Sequence, residues 1–203
     1  MERTTRIATT LVLAYCLLPI LVGFMVKQQT AEAAVVYSIS QNGIDLGSVI
    51  PIETAETGAE YYDHRPLSGY PDFGPEANKS FIWLHRNTLT DDISVGLIHN
   101  KERDGGTGKM FMRVSGLPST ASLDVTDDVP GGGVTDTYSF SPPSAEFRWH
   151  WGGHADGAVI GGLNGLWTVT VTPFDSGGIT FWHFVSASDG SGALTLTSQR
   201  HLK

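Results

Sequence analysis

Two groups of residues in this chain carry side chains suited to chemistry. The denser is Trp149-His150-Trp151-Gly152-Gly153-His154-Ala155-Asp156-Gly157. Imidazole and carboxylate are ligands of zinc and related divalent ions, and a strand running into a glycine turn could aim His150, His154 and Asp156 at one point. The alternative is that the tryptophans pack a core and the histidines hydrogen-bond on its rim. The second group is a set of acidic turns: Asp91-Asp92, Asp104-Gly105, Asp124, Asp127-Asp128 ahead of Pro130-Gly131-Gly132-Gly133, Asp136 and Asp189-Gly190. Calcium takes several hard oxygens from carboxylates and loop carbonyls, and the millimolar calcium outside cells can fill modest sites. None of these turns has the spacing of a twelve-residue calcium loop, and Asp-Gly is also ordinary tight-turn chemistry. The candidate metal ligands are Asp127 and Asp128 from the acidic turns, where calcium is the expected ion, and Asp156 beside the histidines. His150 and His154 add a zinc alternative, which ranks behind calcium.

A search for catalytic motifs finds no Gly-x-Ser-x-Gly elbow and no His-Glu-x-x-His, and Gly105-Gly106-Thr107-Gly108-Lys109 lacks phosphate-loop spacing. Glu56, Glu60, Glu76, Glu102 and Glu146 could serve glycoside chemistry only if two of them converged across a cleft. No catalytic residue is assigned, and enzymatic activity is left open. Residues 41 to 79 lack periodicity and carry Tyr61, Tyr62, Tyr70 and Phe73. Such rings either anchor a loop to the body or stack on a sugar or a partner. Tyr61, Tyr62 and Tyr70, with Trp151, are the candidate ligand-binding residues.

The elements that must position these groups are strands. From Val35 onward, β-branched and aromatic stretches alternate with Gly/Asp/Pro/Ser clusters, the pattern of antiparallel strands joined by turns. Ten are expected, near Val35–Ser40, Ser80–Leu84, Ile93–His99, Lys109–Val114, Ser122–Val125, Asp136–Phe140, Ala145–Trp151, Trp167–Thr172, Ile179–Ser186 and Ala193–Thr197, with no helix of useful length. Trp167, Val169 and Val171 fall on one face of their strand and Thr168, Thr170 and Thr172 on the other. The expected fold is all-β, an antiparallel, jelly-roll-like β-sandwich.

Residues 1–33 read as a signal peptide: Arg3 and Arg6, an apolar run from Leu11 to Val26, then Ala31-Glu32-Ala33 as a small-x-small cleavage site. A retained membrane anchor is the competing reading. Cleavage leaves residues 34–203 as a single domain, long enough for its own core. It would contain no cysteine, because the single cysteine, Cys16, lies in the apolar run. A net charge of −8 and a pI near 5.2 oppose nucleic-acid binding.

The second half of the chain resembles a known type. LDVTDDVPGGG and then FRWHWGGHADGAVIGGLNGLWTVTVTPFDSGGITFWHFVSASDGSGALTL are similar to the β-rich extracellular domains of bacterial exported proteins of the PEP-CTERM, exosortase-associated type. The corresponding text is Asp127-Asp128, Trp149-His150-Trp151, Ala155 to Gly161, Trp167-Thr168-Val169 and Ser188-Asp189-Gly190, within residues 80 to 197. The chain ends in Ser198-Gln199-Arg200-His201-Leu202-Lys203, without the Pro-Glu-Pro sorting motif. The resemblance implies a secreted, surface or matrix protein. The expected function is a secreted or cell-surface module that binds or assembles, calcium-assisted. Its partner would be an extracellular glycan or a surface or matrix protein, with self-assembly through a sheet edge as a further route. It would not span a membrane after signal cleavage. The alternative is a carbohydrate-binding or carbohydrate-active protein on a jelly-roll face.

Overall fold

Alternating burial organises the chain into strands, as a computed structural model shows for residues 37–41, 43–65, 68–103, 106–128, 136–187 and 194–200, the last as backbone only. All of these fall within one compact unit, Val36–Lys203. The expected signal peptide and the Pro130 to Gly133 run lie outside the described residues. Among those described, no helix is long and apolar enough to cross a membrane.

Thirteen strands are described: β1 (Tyr37–Gln41), β2 (Ile44–Val49), β3 (Ile52–Thr54), β4 (Lys79–Asn87), β5 (Ile93–His99), β6 (Thr107–Ser115), β7 (Ser122–Thr126), β8 (Thr137–Ser141), β9 (Ser144–Gly152), β10 (Asp156–Gly161), β11 (Thr170–Gly177), β12 (Phe181–Ala187) and β13 (Leu194–Arg200). One short helix, α1 (Gly58–Tyr62), interrupts them. The protein is all-β. Each of the ten expected strands overlaps an observed one, while β2, β3 and β10 are additional.

Strands β13-β12-β4-β5-β10-β7 form one sheet, in which β3 also pairs with β4. Strands β11-β6-β9-β8 form a second, and β1-β2 a separate ribbon. Pairing is antiparallel except along one edge of β4. There β12 runs parallel to Lys79–Trp83 and β3 parallel to His85–Asn87.

The two large sheets share one core, which strand alternation builds. Met110, Met112 and Val114 of β6 and Ala145, Phe147, Trp149 and Trp151 of β9 all point inward. They meet Ile82, Val95, Leu97, Ala158 and Ile160 of the larger sheet. Trp167, Val169 and Val171 pack onto the same core, on the expected face. A second cluster, on the opposite face of the larger sheet, gathers Tyr61, Tyr62, Phe81, Trp83, Ile98 and Val159.

Candidate functional site

The chain's most unusual local chemistry lies where β7 and β10 of the larger sheet meet the start of β8 in the smaller one. Asp127 and Asp128 follow β7, Asp156 opens β10, and Asp136 immediately precedes β8. One carboxylate oxygen from each of Asp128, Asp136 and Asp156 lies within 4.8 Å of the others. Asp127 and Asp156 are wholly buried, Asp136 is 3% exposed, and Asp128 is half-buried.

Hydrogen bonds fix part of the positions of Asp127 and Asp136. The Tyr62 hydroxyl at the end of α1 donates to Asp127 Oδ2 at 2.6 Å, and His64 Nδ1 lies 3.2 Å from Asp127 Oδ1. The Tyr138 hydroxyl donates to the Asp127 carbonyl and accepts from Trp149 Nε1 at 3.0 Å. Asp136 Oδ1 accepts the His150 backbone N–H at 2.8 Å. Asp128 turns the chain in the left-handed region, at φ 51, a conformation aspartate tolerates better than most residues. Neither side-chain oxygen of Asp156 has a hydrogen-bond partner, nor has Asp136 Oδ2.

The electrostatics follow from this crowding. Burial, reinforced by Asp136, Asp127 and Asp128, pushes the Asp156 carboxyl up to about 8. Burial pushes Asp136 up to about 7 against the pull of the His150 N–H. Asp128 is raised by burial and by Asp127. Asp127 in turn holds the His64 imidazole above its usual range, mainly by hydrogen bonding. Ionised carboxylates kept from water cost several kcal/mol each without a counter-charge, so this site favours protons or a cation.

Of the expected metal-ligating residues, Asp128 and Asp156 lie in this group with Asp127 beside them, and His150 and His154 lie apart from it. His150 sets its ring edge-on to Phe111, centroids 4.9 Å apart, on the outer face of the smaller sheet. His154 instead places Nδ1 3.6 Å from Glu102 Oε2. Neither belongs to the carboxylate group, the one metal-competent cluster among the described residues. Sequence reasoning had not chosen Asp136 or His64 for the site. The acidic-turn signal covered Asp136, but its nearness to Asp156 comes from the packing of the smaller sheet on the larger.

Of the four expected ligand-binding aromatics, Tyr61, Tyr62 and Trp151 are buried. Tyr61 and Tyr62 are buried, because a Thr57–Glu60 capping box starts α1 and turns both rings inward. Tyr61 stacks on His85, and burial pushes its hydroxyl up to about 12. Trp151 is 5% exposed and lies over Gly108. Tyr70 is half-buried, with the Arg65 guanidinium 4.7 Å above its ring.

The accessible rings lie elsewhere. Register in the smaller sheet sets Lys109 opposite His150, Phe111 opposite Arg148 and Arg113 opposite Glu146, all facing outward. A bulge in β11 adds Phe174 to this face, 41% exposed. Arg113 lies 4.8 Å over Phe174 and Arg148 5.2 Å over Phe111, and Glu146 braces both guanidinium groups. Beside them runs a shallow groove of about 340 Å³, lined by Arg113 and Glu146 and by hydroxyls of Ser115, Ser139, Ser144 and Thr172. A larger depression of about 530 Å³ beside α1 carries Glu60, Asp63, His64 and Asp124 and is acidic.

No protein-family model, no curated protein and no solved structure matches this chain.

Proposed function

We propose that the protein is a secreted surface or matrix module, a β-sandwich that binds an acidic glycan on the outer face of its smaller sheet. The observation that carries this reading is the joining, on one face, of a hydroxyl-lined groove, the exposed Phe174 ring and three cations that outnumber their two carboxylate partners, Lys109 paired with Asp175 and Arg113 and Arg148 sharing Glu146. Aromatic rings and flat guanidinium groups suit the apolar faces of sugar rings, and serine and threonine hydroxyls suit their rims. Uronate or sulfate groups would find the arginine forks. The chain as a whole carries a net charge of −8, which disfavours a polyanion away from this cluster of cations.

The test is affinity electrophoresis or calorimetry of the purified protein against a polyuronate, a sulfated glycan and neutral dextran. Acidic glycans are expected to bind and dextran is not, with affinity falling as salt rises. Phe174→Ala and Arg148→Glu, both at exposed positions, each weaken binding about tenfold or more, roughly 1.4 kcal/mol. Equal binding of dextran, or none of any glycan, removes this reading. Release of new reducing ends from a bound glycan would instead favour the carbohydrate-active alternative.

A further inference from the structure

We propose that Asp128, Asp136 and Asp156, with Asp127 beside them, hold a calcium ion that ties the two sheets together. This site is independent of the glycan reading. An acidic cluster alone is common on protein surfaces, but here the decisive side chain is not on the surface. Asp156 is wholly buried, and both of its carboxylate oxygens lack any hydrogen-bond donor. Asp136, 3% exposed, likewise leaves Oδ2 unpaired while Oδ1 is satisfied by the His150 N–H. Buried polar atoms are nearly always paired, so unpaired ones converging on the same place mark a missing partner. A water could donate to two of these oxygens but would leave their charges uncompensated. A cation satisfies all of them and neutralises their repulsion.

The donor set identifies the class of cation. The grouped atoms are all carboxylate oxygens, with no imidazole or thiolate among them, which suits a hard ion and disfavours zinc. Their mutual spacing, within 4.8 Å, fits oxygens on opposite sides of one ion with bonds of about 2.3–2.6 Å, the calcium range; magnesium, at about 2.0–2.1 Å, demands a tighter octahedron. The frame is fixed without the ion. Tyr62 and Tyr138 hold Asp127, the His150 N–H holds Asp136, and the Asp127 N–H reaches the Gly157 carbonyl at 3.3 Å. Because Asp128 and Asp156 belong to the larger sheet's strand ends and Asp136 to the smaller sheet's, the ion would join the sheets at this end of the core.

The test strips the full chain with EDTA, titrates it with calcium chloride by calorimetry, and melts it in EDTA or in 1 mM calcium, magnesium or zinc. One calcium per chain is expected. A site of about 10 μM affinity would then raise Tm by on the order of 5–10 °C at 1 mM. Asp156→Asn keeps the side-chain shape and removes its charge. It should abolish the calcium shift while melting in EDTA at or above the wild-type temperature, since the repulsion is relieved. Asp128→Asn, at a half-buried position, is expected to fold and to weaken calcium binding at least tenfold, so the proposal stays testable if the buried variant fails to fold. A larger shift with magnesium or zinc, no calcium uptake by the wild type, or an undiminished calcium shift in the folded variants overturns it.

Discussion

At the scale of single residues, His99 shows how burial alone sets chemistry. Its ring is wholly buried against Trp149, Trp151 and Trp182, with Nδ1 2.8 Å from the Ser80 hydroxyl and Nε2 unpaired. Burial presses its pKa down to about 3. The unfolded imidazole takes a proton below about 6.5, whereas the folded one resists to about 3, so this contribution to stability is present above pH 6.5 and lost as pH falls. Compared with His99→Gln, the wild type is expected to lose about 1.4 kcal/mol per pH unit between pH 6 and 4, measured by urea unfolding. A difference between the two proteins that stays flat with pH would show the ring to be solvated. The same burial limited what the sequence revealed at the carboxylate site. Asp127, Asp128 and Asp136 stood out as turn acids and Asp156 as a neighbour of the histidines, but only the packing of one sheet on the other makes them a group. The histidines were chosen because they are close in sequence, and strand alternation sends His150 outward while Trp149 and Trp151 go in.

At the scale of elements, close packing of glycine against tryptophan sets the register of the larger sheet. Trp83 of β4 pairs with Gly96 of β5, and a Cβ on Gly96 would lie 2.0 Å from the indole ring. Gly96→Ala must therefore displace a buried ring that is 1% exposed. An expected loss of about 2–3 kcal/mol follows, visible as a lower urea midpoint with an unchanged slope. An unaltered midpoint would mean that Trp83 has room to move. The alternation of the Trp167 to Thr172 stretch was legible because one of its faces is wet. Strand β10 was not. Asp-Gly-Ala-Val-Ile-Gly is buried at every position, so it has no period to read, and its glycines look like a turn. Gly157 is instead there because the Leu97 carbonyl and Tyr62 hydroxyl leave no space for a side chain. The Thr57–Glu60 capping box was a readable helix signal, and the glycine and tyrosines around it obscured it.

At the scale of the whole molecule, the pairing along β4 links distant parts of the chain. Strand β12 pairs with β4 across about a hundred residues, and the Ala187 N–H reaches the Ile50 carbonyl. Parallel, non-local pairing of this kind folds slowly, because loop entropy must be lost before the contacts that offset it can form. Refolding followed by stopped-flow tryptophan fluorescence is expected on the millisecond-to-second scale or slower, and a microsecond phase completing the signal would contradict that. Until β12 is available, β4 keeps one edge open and the core that both sheets share is incomplete. A chain emerging from the ribosome thus carries most of its strands, several of them already able to pair, before β12 can complete the larger sheet.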